Sequence, residues 1–432
     1  MSGLHRLKYF AEIVAGQSPP SELVDDLHDG QPFMQGNAEF GAVSPNPRFE
    51  CTDPPKIARA GDVLLSVRAP VGAVNVADRT YGIGRGLCAI RSLAMSHRYL
   101  YYWLSSQTEL LESMATGSTF SAISASDVAN LVVPSTDPVE QSEVADFLDR
   151  ETAEIDAFIA DQERLIKLLT ERLSVAVSRA VTVWLDAGVW TPTGSPWIPM
   201  VHNSWRVLSL RRLGIVSESG TSVNGDACPV SNGEIGVLKT GAASKGYFDP
   251  TENKRVVDED IARVTCPVRQ GSLLVNRANS PELVGAAAFV DQAAPGLYLS
   301  DKLWQVTISD ANPRFVYYWT RSSAYRQQLI ALSVGASSSM QNLSMEDFLA
   351  LDIAVPDLPT QNRVVDLLDD VTGQTSSTIA DAHRAIELSR ERRAALITAA
   401  VTGQIDVRTG DSRNVSGVRR TDQGTDRKAS HV

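Results

Sequence analysis

Residues 139–187 read VEQSEVADFLDRETAEIDAFIADQERLIKLLTERLSVAVSRAVTVWLDA, a stretch with neither glycine nor proline. Pro138 stands before it, where a helix start tolerates proline, and Gly188 follows its end. Within it Leu148, Thr152, Ile155, Ile159, Gln162, Ile166, Leu169, Leu173, Ala176 and Ala180 recur at steps of four and three. That is the seam of a coiled coil. At 1.5 Å per residue the stretch makes a rod of about 70 Å. A rod of that length is not the core helix of one globular domain, so its seam calls for a partner helix.

The same chain supplies one, because its two halves repeat. Tyr101-Tyr102-Trp103 recurs as Tyr317-Tyr318-Trp319, and Val133-Pro134 as Val355-Pro356. Gln141 and Val144–Asp149 recur as Gln361 and Val364–Asp369, and Ala180-Val181-Thr182 as Ala400-Val401-Thr402. One order of features at a nearly constant offset indicates a duplicated unit. Each unit is a globe rich in glycine, proline and short β-branched runs, followed by a helix. Val63–Val67 and Leu273–Val275 read as strands entered from the turn glycines Gly61 and Gly271. The second rod, Pro359 to Gly403, has a weaker seam, and Gly373 predicts a short helix followed by a longer one.

The fold class expected is therefore α+β: two mixed α/β globes separated by long antiparallel coiled-coil helices, with an internal pseudo-two-fold duplication. The expected boundaries are 1–135 for the first globe and 136–187 for the first rod. A crossover occupies 188–205, the second globe 206–358, and the second rod 359–406. Trp190, Trp197 and Trp205 mark the crossover as structured. Residues 407–432 have almost no large apolar side chain and read as a disordered tail.

The 432 residues carry 43% hydrophobic residues and a net charge of −11. No apolar run is long enough to span a bilayer, and the N-terminus lacks the pattern of a secretory signal. Cys51, Cys88, Cys228 and Cys266 are scattered, which argues against a zinc knuckle or a disulfide framework and fits a reducing cytoplasm. Taken alone, −11 disfavours a nucleic-acid binder. By segment, however, residues 136–185 carry −6, residues 1–135 and 186–358 only −3 each, residues 359–406 −2 and the tail +3. The densest acidity lies on a helix, not on a globe.

No catalytic constellation emerges. Asp53-Pro54-Pro55 is followed by Lys56 rather than by an aromatic residue that could stack on a flipped base. Glu252-Asn253-Lys254 has nuclease-like local spacing without a matching upstream acid. Gly82–Gly86 is half a dinucleotide loop with no helix pattern after it, and no GxxxxGK[ST] phosphate loop exists. The six histidines form neither a metal spacing nor a triad. The Tyr-Tyr-Trp clusters lie on apolar helix faces and read as core. Two binding globes on a measured rod remain.

These residues carry a family resemblance. Residues 61–72 (GDVLLSVRAPVG), Ile83–Leu87, Gln141–Asp149 continuing through Glu151–Ala157, and Arg179–Thr182 resemble the specificity (S) subunit of type I restriction-modification systems. Trp197-Ile198-Pro199 and Trp205-Arg206-Val207 resemble that family's link into its second domain. The resemblance covers residues 4 to about 406. It implies a non-enzymatic DNA-recognition subunit, in which each globe reads one half of an asymmetric bipartite site on double-stranded DNA. The rods would set the spacing and dock two methyltransferase (M) subunits, and restriction/translocase (R) subunits would join them. No cofactor would belong to this chain, since S-adenosylmethionine, Mg²⁺ and ATP would serve the partners. The alternatives are a coiled-coil adapter for proteins only and a stand-alone DNA-modifying enzyme.

Base readout favours arginine on guanine and asparagine or glutamine on adenine, with lysine, serine and threonine on phosphate. The DNA-binding candidates of the first globe are Arg68, Asn75, Arg85, Ser118 and Thr119. Those of the second are Lys239, Thr240, Lys245, Arg277, Asn279, Ser337 and Ser338. The seam residues Leu148, Ile155, Ile159, Ile166, Leu169 and Leu173 are the partner-binding candidates. With such acidic globes, the chain alone is expected to bind DNA poorly and to need its M subunits for much of the phosphate grip.

Overall fold

The computed structural model describes residues 4–115, 121–134, 137–182, 189–231, 233–332 and 341–408. The chain forms two compact units. One comprises Met1–Glu163 with His383–Val432, and the other Arg164–Ala382. The division falls inside the two long helices, because each helix contributes its two ends to different cores.

In the first unit, strands Ala11–Ala15, Leu87–Ser92, Val63–Ser66 and Val74–Val76 lie side by side in that order, all antiparallel. Val63, Leu64, Leu65 and Ser66 are all buried. A strand covered on both faces reads as a continuous apolar run. Gly61 enters it at φ 87°, a left-handed conformation that glycine adopts without a Cβ clash. Val63 and Leu65 face the helical core, with Tyr99, Leu100, Trp103 and Leu148. Leu64 faces a second, five-stranded sheet through Met34, Tyr81 and Ile83. That sheet contains the parallel pair Pro32–Met34 and Tyr81–Ile83.

The second unit repeats this plan. Strands Ile215–Ser219, Leu303–Ile308, Leu273–Asn276 and Ala287–Phe289 take the same order. Leu273 and Val275 face the helical core with Phe315, Trp319 and Val364, while Leu274 faces the second sheet. The parallel pair recurs as Gly236–Leu238 and Leu297–Tyr298. Both Tyr-Tyr-Trp clusters are core: Tyr102, Trp103, Tyr317, Tyr318 and Trp319 are buried.

The first long helix runs Pro138–Thr182 and the second Leu358–Val401. The break expected at Gly373 does not occur. Gly373 sits exposed inside the second helix, with nothing near the position a Cβ would take. A helical glycine costs about 1 kcal/mol against alanine, too little to interrupt a helix held at both ends by packing. The stop comes at Gly403, φ 71°, where Gly403 N donates to Ala400 O and Gln404 N to Ala399 O. This closes the helix with a left-handed glycine cap.

Each core takes the start of one long helix and the end of the other. Leu148 from the first helix and Ile397, Ala400 and Val401 from the second complete the first unit's core. Leu173, Val177, Ala180 and Val181 join Val364, Val365 and Leu368 in the second unit. Within the first unit the helix stretches are antiparallel. Asp156 accepts from Arg393 at 2.9 Å, and Glu163, further along, accepts from Arg390 at 3.2 Å. The crossover is a hairpin, Trp190–Pro192 against Met200–His202, and Trp205 packs its ring 6.3 Å from that of Phe315. The residues expected to form a disordered tail lie outside the described residues from 409 onward.

Candidate nucleic-acid interface

The same polar edge occurs in both units, built on equivalent backbone. In the first, Val67 N donates to Gly86 O at 2.9 Å and Ile123 N to Val67 O at 3.0 Å. In the second, Arg277 N donates to Lys302 O at 3.0 Å and Leu343 N to Arg277 O at 2.8 Å. A short ladder follows in each. Arg68 bridges Ala122 in one, and Ala278–Asn279 pairs with Gln341–Asn342 in the other. The turn Gly84–Gly86 therefore corresponds to Ser300–Lys302. Residues 67–69 correspond to 277–279, and 121–123 to 341–343.

On this shared edge the two units carry different side chains. Arg68 and Arg85 are exposed in the first unit. In the second, Arg277 lies half-buried with its guanidinium 5.9 Å from the centre of the Trp304 ring. Asn279 is half-buried, its Oδ1 accepting from Ser280 N at 2.9 Å. Lys239 and Thr240 line a cavity beside the same turn. Lys245 is exposed but engaged, its Nζ 3.0 Å from Asp249 and 3.7 Å from Glu252. These bonds raise the pKa of Lys245 and hold Asp249 below the usual carboxylate range, the latter led by the Thr251 hydroxyl.

Asn75 requires a correction. It lies mid-strand opposite Leu64, is buried, and donates from Nδ2 to Gly41 O at 2.9 Å. Strand alternation turns its side chain inward, so it braces the fold and offers no surface to DNA. Ser118, Thr119, Ser337 and Ser338 fall outside the described residues.

In each unit the short helix that carries the Tyr-Tyr-Trp cluster, His97–Ser105 or Pro313–Thr320, is held to a long helix by a repeated latch that no local motif announces. Gln141 Oε1 accepts from Ser96 N, and Gln361 Oε1 from Asn312 N, both at 2.8 Å. Tyr102 donates to Asp149 at 2.7 Å, and Tyr318 donates to Asp369. Arg98 pairs with Asp146 and Asp149, and Arg314 Nε donates to Asp369 at 2.9 Å. Burial pushes the Tyr318 hydroxyl up to about 12, with the Asp369 carboxylate adding to the shift, and pushes Tyr102 further still. Sequence offsets of about 50 residues hide these pairs from any local motif.

The seam residues also need correcting as partner-binding candidates. Leu148, Ile155 and Leu173 are buried, and Ile159, Ile166 and Leu169 are half-buried. Leu148 and Leu173 pack into the cores of the chain's own two units. Beyond Val139 at its start, the large apolar residues that the first helix leaves exposed are Phe158, Leu165, Leu168 and Val175, spaced by seven, three and seven.

The model of the type I restriction modification DNA specificity domain matches residues 6–166 and again 205–388, most of the chain. The chain belongs to this family. Its two matches coincide with the two repeats, and each takes in one polar edge and the beginning of one long helix. A Methanocaldococcus jannaschii protein assigned as the MjaX type I restriction enzyme specificity subunit is 40% identical over 140 residues, 32% of this chain and 33% of that protein. The EcoEI specificity subunit of Escherichia coli is 28% identical over 145 residues, 33% of this chain and 24% of that protein. The aligned stretches thus span about a third or less of these relatives. A chain from a structure described as the basis of complex assembly and conformational transition of the type I restriction-modification system shares the fold. Its TM-score is 0.65 at 15% identity, covering 93% of this chain and 97% of that one. Among the described residues of this specificity-family chain, no helix is long and apolar enough to cross a membrane.

Proposed function

We propose that the chain is the DNA-specificity subunit of a type I restriction-modification complex. Each unit reads one half of an asymmetric bipartite site on duplex DNA. The observation that carries this is the repeated edge: one backbone scaffold, built twice, presents Arg68 and Arg85 in one unit and Arg277 and Asn279 in the other. One framework with two chemistries is what two different half-sites require. A linked pair of modest half-site contacts becomes one tight site, because the second forms at high effective concentration.

Two methyltransferase subunits dock on the helix faces that the chain leaves open, through Phe158, Leu165, Leu168 and Val175 in place of the covered seam. Restriction/translocase subunits complete the assembly in the cytoplasm. Methyl transfer from S-adenosylmethionine, ATP hydrolysis and Mg²⁺-dependent cleavage belong to those partners, and this chain supplies address, spacing and assembly. The acidic globes leave much of the phosphate grip to the methyltransferase subunits.

The test replaces residues 206–358 with the corresponding globe of another specificity subunit and maps the methylated sites of the assembled complex. One half-site changes and the other stays. An unchanged site would support a protein-only adapter, and turnover on DNA by the purified chain alone would support a stand-alone enzyme.

A further inference from the structure

The second unit carries a cavity of about 350 Å³ beside the turn Ser300–Lys302. Lys239, Lys254 and Lys302 line it with Thr240, Ser300 and a single acid, Asp301. Lys254 Nζ donates to Val223 O at 2.6 Å, and Lys239 Nζ to Ala227 O at 3.4 Å. Each of these amines spends one of three donors on a neutral carbonyl. Among the described residues none of the three lysines is ion-paired, whereas Lys245 is held by Asp249 and Glu252. Three lysines and one aspartate among its lining residues make a positive concavity with donors to spare, the chemistry that holds a backbone phosphate.

The other side of the same turn has a different character. Arg277 N bonds Lys302 O at 3.0 Å, and Arg277 Nη1 lies 3.5 Å from Asp301 O, so turn and strand are joined. Asn279 stands directly opposite Gln341 in the antiparallel ladder. Opposed residues share a face, and alternation puts Arg277 on it too. On that face Arg277 Nε, Asn279 Nδ2 and Gln341 Oε1 have no hydrogen-bond partner among the described residues, and Gln341 is only 9% exposed. Unmet buried polar atoms are rare in folded chains. The matching positions of the first unit are Val67, Ala69 and Ser121, two of them apolar. Two donors and an acceptor from arginine, asparagine and glutamine are the set that reads base edges.

We propose that duplex DNA crosses the Ser300–Lys302 turn. Lys239, Lys254 and Lys302 hold a backbone phosphate, and Arg277, Asn279 and Gln341 read base edges of one half-site. Rotamer changes common at interfaces bring the two amides outward. The inference rests on the specificity-subunit reading and gives it a location in the second unit. Neither Gln341 nor Lys254 and Lys302 stood among the residues expected from sequence to bind DNA.

The experiment titrates the assembled complex of this chain and its methyltransferase subunits with duplexes bearing the mapped site and its single-base-pair variants. Gln341→Ala and Asn279→Ala each reduce discrimination at one base pair of one half-site by about 5- to 100-fold. Lys254→Ala combined with Lys302→Ala weakens every duplex alike and lowers the slope of log affinity against log salt by about one. Gln341→Glu keeps the acceptor and the shape but loses the amide donors, so it alters base preference even if the alanine variant loosens the ladder. Wild-type discrimination in the Gln341 and Asn279 variants overturns the proposal, as does a changed base preference in the lysine variant. A wild-type complex that binds all duplexes alike overturns the specificity-subunit reading itself, so the two failures are distinct.

Discussion

The two units share strand order, a parallel pair, a helix latch and an edge ladder, and differ where that edge meets solvent. The first unit puts Arg85 on the turn where the second has Asp301, and Gly86 where the second has Lys302. It carries Val67 and Ala69 where the second carries Arg277 and Asn279. Positions that hold backbone together are repeated, and positions that could touch a ligand have diverged. The interior differs more quietly. In the first unit Arg98 divides its charge between Asp146 and Asp149, and Tyr102 also lies 3.2 Å from Thr152. In the second, Arg314 and Tyr318 both converge on Asp369. The second latch is thus concentrated on one carboxylate, and the first is distributed.

That contrast can be broken by mutation. Asp369→Ala leaves a half-buried guanidinium unmatched and the buried Tyr318 hydroxyl with only the Thr372 hydroxyl beside it, and should cost about 3 kcal/mol, read as a lower urea midpoint. Asp149→Ala should cost only about 1 kcal/mol, because Asp146 and Thr152 retain part of the network. Equal losses would show that the two latches are energetically alike.

The raised Tyr318 sharpens the same point through pH. Its folded value of about 12 lies above the ordinary value of 10. The stability it contributes is therefore fully present below pH 10 and is lost as pH rises towards 12. Tyr318→Phe should be less stable than wild type at neutral pH but decline less steeply between pH 10 and 12. Tyr102 and Tyr325, also raised, keep part of the slope. Urea titrations at pH 8, 10 and 11 measure the difference.

Smaller effects separate the helix stretches. Arg393 and Asp156 form a clasp in the first unit, and the repeat places Leu173 and Ser376 at the matching positions. Arg393→Ala should cost about 1 kcal/mol, through lost packing as much as lost charge. Arg390→Ala, which removes an exposed pair with Glu163, should stay within about 0.5 kcal/mol. Gly373 corresponds to Ala153 of the first helix. Gly373→Ala should raise stability by about 0.5–1 kcal/mol, since the added methyl meets open space. A destabilised Gly373→Ala would contradict its reading as an unstrained helical position.

Much of this architecture was legible along the chain. The four-three spacing of Leu148 to Ala180 marked the first rod, and the repeated Tyr-Tyr-Trp and Gln…Asp signatures revealed the duplication. Gly61 and Gly271 announced the central strands that follow them. The second sheet of each unit escaped notice because its strands are two to four residues long and partly parallel, so they show no alternation. Asn75 was misread because a polar residue in a short strand gives no sign of which face it occupies. The latch pairs join residues about 50 positions apart, and Gln341 acquires meaning only opposite Asn279. Both are facts of tertiary pairing rather than of spacing. Gly373 misled because propensity is local and weak, whereas the packed ends of the second helix are decisive.

The central claim is that the two units are one scaffold with two reading edges. It is tested most directly by a chain in which the second globe, residues 206–358, also replaces the first, with methylation sites mapped for the assembled complex. The account predicts a site whose two halves have the same sequence, that of the half-site assigned to the second unit. Retention of the original two different halves would contradict it.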